Sequence, residues 1–178
     1  MARLLDRYKK EMVPALMKEF SLSNTLSAPR LDKVVVSMGV GRATQERKRL
    51  EDAARDIALI TGQKAMITRA KKSVSNFKLR KGMEIGCMVT LRGARMYEFL
   101  DRLMNVAMPR IRDFRGAAKN FDRAGNYSLG VNDISIFPEV NIDALEFPQG
   151  LNVAMVVSNS NPEKTARMLE LFGMPFRR

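Results

Sequence analysis

Residues 57–83 form the part of the sequence whose side chains best fit a chemical task. The stretch contains seven basic residues and no acidic one. Between the charges lie Ser73, Ser75, Asn76 and Phe77. Cations contact phosphates, hydroxyl and amide groups hydrogen-bond to sugars and base edges, and an aromatic ring stacks on an exposed base. The stretch therefore predicts contact with a nucleic acid, against the alternative of a solvated run of charges. The cations are Lys64, Arg69, Lys71, Lys72, Lys78, Arg80 and Lys81.

A second basic stretch covers residues 109–126 and is less specific. Two aromatic residues, Phe114 and Phe121, lie among its cations, but Asp113 and Asp122 dilute the charge. The pattern fits an RNA contact and a protein-facing loop of mixed charge equally well. Its cations are Arg110, Arg112, Arg115, Lys119 and Arg123.

The composition argues against an enzyme. The chain has no histidine and one cysteine, which removes imidazole-based triads and zinc sites built from these ligands. Cys87 lies on the apolar side of an alternating stretch, which is typical of a buried, inert thiol. Neither a cofactor nor a metal is expected. A small enzyme acting on an anionic substrate is the alternative that these absences disfavour.

One glycine-rich turn needs its own interpretation. Gly39-Val-Gly41 follows a β-rich stretch, but a dinucleotide fingerprint would need a third glycine where Thr44 stands. A tight turn is the favoured interpretation, with Thr44 as the N-cap of the next helix. Arg42 would then lie near a helix N-terminus, where it can meet an RNA phosphate.

The charge is unevenly distributed along the chain. The net charge is +12, with 27 of the 31 basic residues and 13 of the 19 acidic residues in positions 1–123. A polyanionic partner would relieve this excess. The single cysteine and the absence of a long apolar run predict a cytoplasmic protein. We expect an RNA-facing side and a protein-facing side.

Hydrophobic periodicity predicts the order helix, strand–helix–strand, strand–helix, strand, strand–helix. Pro14 should interrupt the first helix or open a second one, and Asn132-Asp133 should interrupt a strand over residues 127–137. The fold class predicted is α+β: one domain over residues 1–178, with an antiparallel or mixed sheet and helices packed on one face. A mobile basic loop is expected at residues 69–82. The open sheet face would carry Lys33, Val35, Ser37, Thr90, Arg92 and Asn152, groups suited to structured RNA.

Eight short motifs in succession resemble the signatures of bacterial ribosomal protein five of the large subunit. They run from near the N-terminus to the last residues, so the resemblance covers essentially the whole chain. They are Met38-Gly-Val-Gly41, Thr61-Gly-Gln63-Lys64, Lys72-Ser-Val74, Val89-Thr-Leu-Arg-Gly93, Pro109-Arg-Ile-Arg-Asp-Phe-Arg-Gly116, Gly125-Asn-Tyr127, Ile136-Phe-Pro-Glu139 and Pro175-Phe-Arg177.

The resemblance implies a structural role in the central protuberance of the large ribosomal subunit. Members of this family bind 5S rRNA, with 23S rRNA as a second RNA partner, reach P-site tRNA with the basic loop, and touch a small-subunit protein across an intersubunit bridge. The rRNA-facing residues would be Lys33, Ser37, Arg42, Gln63, Thr90 and Arg92. The tRNA-facing residues would be Arg69, Lys71, Lys72, Ser73, Phe77, Lys78 and Arg80, and the bridge residues Arg110, Arg112, Asp143 and Glu146.

The sequence departs from the family pattern at three places. Ser37 stands where an asparagine is usual, Asn132-Asp133 replaces a glutamate–glutamine pair, and Asp122-Arg-Ala124 replaces a turn that contains glycine. A free RNA chaperone or translation regulator with the same basic surface is the alternative function.

Overall fold

The computed structural model describes residues 2–112, 114–141, 147 and 149–177. Within them the strands form a five-stranded antiparallel sheet in the order β2-β3-β1-β5-β4. This arrangement with its helices confirms the predicted α+β class. The elements are α1 (Arg3–Arg7), α2 (Val13–Glu19), β1 (Arg30–Gly39), α3 (Lys48–Thr61), β2 (Met66–Arg69), β3 (Glu84–Leu91), α4 (Gly93–Arg102), β4 (Tyr127–Val131), β5 (Leu151–Ser158) and α5 (Pro162–Phe172).

The first helical segment changes from π-helical to α-helical hydrogen bonding just before Pro14. A π-helical turn, Tyr8–Met12, joins α1 to α2. Pro14 is the second residue of α2 and comes directly after this turn. The prediction of a second helix starting just before Pro14 is therefore confirmed. No helix in the described part of the chain is both long enough and apolar enough to span a membrane.

The residues group into two compact units. The first unit is Met1–Val34, Leu91–Leu129 and Ala154–Arg178, and the second is Val35–Thr90 and Gly130–Val153. The prediction of a single domain over residues 1–178 stays a prediction.

The core of the first unit is built around an aromatic cluster. The ring of Tyr8 lies 5.8 Å from that of Phe172 and 6.2 Å from that of Tyr97. Burial of the phenol raises the pKa of Tyr97 to about 12, so it stays neutral. The ends of α5 match their sequence signals, since the side chain of Asn161 accepts a hydrogen bond from the N–H of Lys164 and Gly173 adopts a left-handed conformation.

The core of the second unit contains the apolar face of α3, including the fully buried Ile57 and Ile60. Val36 of β1 and Val89 of β3 are buried as the strand alternation predicts. Strand β2 pairs antiparallel with β3, and their register shifts between Thr68 and Arg69.

Two local predictions have different outcomes. The strand expected over residues 127–137 ends at Val131, and a 3₁₀ turn, Ile134–Ile136, follows, which confirms an interruption at Asn132-Asp133.

The prediction of Thr44 as a helix cap is wrong. Its hydroxyl donates back to the carbonyl of Gly41 at 3.2 Å inside a 3₁₀ turn, Gly41–Thr44, and α3 begins only at Lys48.

Candidate nucleic-acid interface

The exposed side of strands β1 and β3 in the second unit carries polar groups. Along β1 the buried Val36 and Met38 alternate with the half-buried Ser37. Along β3 the buried Val89 alternates with the half-buried Thr90. Asn152 of β5 is exposed. The alternation therefore leaves hydroxyl and amide groups accessible on one side of these strands, as predicted.

Gln63 is held next to Thr90 by the way that α3 ends. Gly62 adopts φ 67° at the end of the helix, which reverses the chain. The hydroxyl of Thr61 donates to the carbonyl of Ile57 at 2.7 Å and accepts from the N–H of Gln63 at 3.4 Å. The side-chain Nε2 of Gln63 donates to the carbonyl of Thr90 at 3.3 Å. These hydrogen bonds bring together two predicted RNA-binding residues that are distant in the sequence.

Lys33 and Arg92 belong to the first unit. Lys33 is half-buried on β1, and Arg92 is exposed just before α4. The Nη1 of Arg92 lies 3.0 Å from Oδ1 of Asp32. Arg92 was predicted as an rRNA contact and Asp32 was not, because no spacing rule connects a residue of β1 with one just after β3 before the strand register is known.

Arg42 is exposed, as an RNA contact would require, but its setting differs from the prediction. It lies inside the 3₁₀ turn Gly41–Thr44, and the N–H groups of Gln45 and Glu46 donate to its carbonyl oxygen. It therefore does not lie at the N-terminus of α3, and the dipole of that helix gives no reason for an anion to bind beside it.

The basic loop of residues 69–82 is closed at its base by backbone and side-chain contacts. Ala70 donates to the carbonyl of Met83 at 2.8 Å, and Gly82 donates to the carbonyl of Ala70 at 2.9 Å. Arg69 forms an ion pair of 3.0 Å with Glu84. Arg69, one of the predicted tRNA contacts, is thus already paired within the chain.

The tip of the basic loop is a small hairpin. Val74 and Leu79 exchange two backbone hydrogen bonds of 3.0 Å. Lys78 adopts φ 54° at the turn, and the Phe77 ring next to it is 71 % exposed. The Ser73 hydroxyl accepts a hydrogen bond from the N–H of Lys81 at 3.0 Å. An exposed ring and exposed cations thus share one tip, and the predicted mobility of the loop stays a prediction.

The second basic stretch is held by the C-terminal tail of the first unit. Ala117 donates to the carbonyl of Pro175 at 2.7 Å and accepts from the N–H of Arg177 at 2.9 Å. These two hydrogen bonds form what we call the C-terminal clamp. Arg110 and Arg112, which precede the clamp in the sequence, are exposed. Asp143 and Glu146, the other predicted bridge residues, lie outside the described residues.

Groups that would carry covalent or metal chemistry are not assembled in the described ranges. Burial, followed by the charge of Asp56, raises the pKa of the Cys87 thiol to about 11, so this cysteine is a poor nucleophile. Within residues 2–112, 114–141, 147 and 149–177, no three acidic or thiol groups could hold a metal ion.

An α+β fold with a polar sheet surface and an exposed basic hairpin is typical of a nucleic-acid-binding protein. Two family models match the chain: "Ribosomal protein L5" over residues 24–80 and "ribosomal L5P family C-terminus" over residues 84–176. The chain is 55 % identical over 178 residues to the large ribosomal subunit protein uL5 of Geotalea uraniireducens, with 99 % of each chain covered. It is 54 % identical to the proteins of the same name from Geobacter sulfurreducens, with 99 % of each chain covered, and Chloroflexus aurantiacus, with 98 % covered.

The chain belongs to the ribosomal protein L5 family. It is therefore a structural constituent of the large ribosomal subunit, a cytoplasmic ribonucleoprotein particle, and not an enzyme. The resemblance inferred from the eight motifs is confirmed at the level of the family.

Proposed function

We propose that this chain attaches 5S rRNA in the central protuberance, contacts P-site tRNA with the basic loop, and takes part in an intersubunit bridge. The observation that carries the first part is the hydrogen bond from Gln63 to the backbone of Thr90 on the polar side of the sheet. A hydroxyl and an amide at fixed positions suit the base edges and 2′-hydroxyls of folded RNA. Ser37 would extend this surface, Lys33 and Arg92 of the first unit would be further rRNA contacts, and 23S rRNA would be the second RNA partner.

Thr90→Val tests the 5S rRNA contact. If the hydroxyl has a buried RNA partner, its loss weakens binding by roughly 1–3 kcal/mol. Thr44→Val is the matched control, because the Thr44 hydroxyl bonds within its own turn. Binding to 5S rRNA and to an unrelated RNA of equal length is measured by filter retention, with thermal unfolding as the check on folding. Equal affinities of the wild-type protein for both RNAs would refute a specific partner.

The proposal for the basic loop is supported by its exposed cations and by Phe77. Replacing Lys71, Lys72, Lys78 and Arg80 by alanine removes up to four cations that can each meet a phosphate. The slope of log affinity against log salt should then fall by roughly 0.7–0.9 for every phosphate that is no longer neutralised. Phe77→Ala removes a stacking contact that is worth roughly 1–3 kcal/mol if the ring meets a base of the RNA.

The measurement is the dissociation rate of P-site tRNA from ribosomes that carry the variant protein, with 5S rRNA occupancy checked in parallel. The charge-matched control replaces four exposed cations of the first unit by alanine. An unchanged dissociation rate at full occupancy would mean that the loop is a solvated charge run or binds rRNA. The control cations are Lys9, Lys10, Lys18 and Arg95.

The bridge proposal rests on charge and on the family. Residues 124–178 carry four basic and six acidic side chains, which disfavours phosphate contact there. Asp143→Lys with Glu146→Lys should reduce subunit association in sucrose gradients and leave 5S rRNA binding intact. Arg110 and Arg112 would contact the same small-subunit protein. Loss of 5S rRNA binding with normal subunit association would mean that the two surfaces are exchanged.

Membership in the family supports an assembled constituent over a free RNA chaperone or translation regulator. Co-purification of the protein with large subunits in high-salt washes separates the two. Release of the protein at moderate salt, with activity on free RNA, would support the regulator.

A further inference from the structure

The first unit contains a cleft whose lining includes no residue of the proposed sheet contact or of the basic loop. Its volume is about 270 Å³. It opens between the 3₁₀ turn Thr25–Ser27 and the turn that connects β5 to α5. Among the described residues, no acidic side chain lines it. The lining residues are Tyr8, Thr25, Leu26, Ala28, Arg30 and Asn159.

Hydrogen bonds from side chains to the backbone hold the walls of this cleft in place. The Tyr8 hydroxyl donates to the carbonyl of Pro29 at 2.9 Å, and the Ser158 hydroxyl donates to that of Arg30 at 3.1 Å. Asn159, at φ 56°, donates from Nδ2 to the carbonyl of Leu26 at 2.7 Å. The cleft is thus braced before any partner binds, which lowers the entropy cost of binding.

The groups that face the cleft combine one cation with one exposed apolar side chain. Arg30 is exposed at the start of β1, and the lining drawn from the described residues holds no carboxylate to pair with it. Leu26 is 78 % exposed, although its backbone N–H is fixed by the side chain of Asn24 at 2.9 Å. A guanidinium recognises phosphate, and an apolar surface beside it covers the face of a base.

We propose that this cleft binds one unstacked nucleotide of ribosomal RNA. The phosphate lies against the Arg30 guanidinium and the base against Leu26. The Thr25 hydroxyl and the amide oxygen of Asn159 hydrogen-bond to the sugar or the base edge. The proposal rests on the place of the chain in the large subunit and does not depend on the 5S rRNA contact at Thr90. The single cation of the lining suits one phosphate, and the neutral polar groups beside it suit a sugar or a base edge better than a second acidic group.

The test maps the neighbours of position 26 directly. Leu26→Cys carries an iron chelate that cleaves nearby RNA by hydroxyl radicals, and Leu59→Cys carries the same probe at another exposed leucine. Cys87 is buried and does not compete for the label. Assembled large subunits should show cleavage in one short RNA segment from position 26, distinct from the cleavage from position 59. The segment identifies 5S rRNA or the larger rRNA as the source. Cleavage of no RNA above background from position 26, or cross-linking of its thiol to a ribosomal protein, overturns the proposal.

A second measurement examines the nucleotide itself by base-specific chemical probing. Leu26→Ala and Arg30→Gln should each raise the reactivity of one nucleotide in that segment, and Arg30→Gln should raise it by roughly tenfold, as expected when one charge-assisted hydrogen bond is removed. Arg30→Lys keeps the charge but lacks the planar donor pair, so it should restore only part of the protection. Leu59→Ala and Arg95→Ala are the matched controls and should change nothing there. Thr90→Val should weaken the 5S rRNA contact without exposing this nucleotide. Unchanged reactivity in both cleft variants refutes the site.

Discussion

The guanidinium of Arg92 lies 3.0 Å from the carboxylate of Asp32, and the same Nη1 approaches the carbonyl oxygen of Asp32 at 3.4 Å. One cation of the proposed rRNA contact is therefore shared with an acid of the same unit. The side chains of Arg92 and Asp32 are 57 % and 43 % exposed, so the pair contributes little to stability, typically about 0–1 kcal/mol. The ion pair mainly affects RNA binding, because Asp32 competes with an RNA phosphate for Arg92 and repels that phosphate.

Asp32→Asn should therefore tighten RNA binding. The expected change is severalfold for both 5S rRNA and an unrelated RNA, since removal of one negative charge acts without regard to sequence. The free energy of unfolding should change by less than about 1 kcal/mol. Filter binding at two salt concentrations measures the effect. Weaker binding to 5S rRNA alone would mean that Asp32 orients Arg92 for a specific contact.

The elements with strong local signals were predictable from the sequence. Asn161, Gly173 and Gly62 mark helix ends that depend only on neighbouring residues, and the structure confirms each as a cap or end. Thr44 was misassigned because Ser and Thr also bond back to the carbonyl three residues earlier, and the sequence does not distinguish the two.

The residue types of the site were predictable from the sequence, whereas the contacts between these residues were not. Pairs between strands and between distant residues determine which of the predicted side chains already have a partner within the chain. Arg69 is paired with Glu84, and the Ser73 hydroxyl is engaged by the N–H of Lys81. The cleft beside Arg30 depends on residues from three distant segments, which no periodicity in the sequence connects.

Gly86 should be intolerant of a methyl group, although it lies in a strand. A Cβ there would come within 2.6 Å of the carbonyl oxygen of Met38 and 3.0 Å of the Thr68 hydroxyl. Gly86→Ala should destabilise the protein by roughly 1–3 kcal/mol, because backbone must move to relieve the overlap. Gly39→Ala is the matched control, since it is also in a strand and has nothing within 4 Å. Urea denaturation compares the two, and equal stabilities would contradict the close packing of β1 against β3.

Asp122 should make the turn before β4 sensitive to acid. Hydrogen bonds from the side chain and then the backbone N–H of Asn126, both 2.7 Å, lower the pKa of this carboxyl. Because the folded-state pKa is depressed, the contribution to stability is present above the unfolded value of about 3.9 and is lost as pH falls through the folded value. Asp122→Asn should be less stable than wild type at neutral pH.

The difference between Asp122→Asn and wild type should shrink as the pH is lowered from about 5 toward 2. Thermal unfolding over this range measures it. A difference that is constant with pH would mean that the turn depends on the shape of residue 122 and not on its charge.

Gly116 and Gly173 provide a matched pair for testing the C-terminal clamp. They adopt φ 99° and φ 97°, so alanine at either position incurs a similar left-handed strain of roughly 1–2 kcal/mol. A Cβ at Gly173 would meet nothing within 4 Å, whereas one at Gly116 would lie 2.6 Å from the backbone nitrogen of Arg177. Gly116→Ala should therefore be the more destabilising, by a further ~1–3 kcal/mol, because the tail must leave Ala117.

Deletion of residues 177 and 178 supplies the control for the clamp. Without the backbone of Arg177, only the carbonyl carbon of Phe176 would lie within 3 Å of the added Cβ. The extra destabilisation of Gly116→Ala should therefore shrink, while the effect of Gly173→Ala should stay the same. Thermal unfolding of the single variants and of each glycine variant combined with the deletion measures this coupling. Because Arg110 and Arg112 precede the clamp, Gly116→Ala should also weaken subunit association more than Gly173→Ala does. Additive effects of Gly116→Ala and the deletion would show that the tail does not hold this stretch in place.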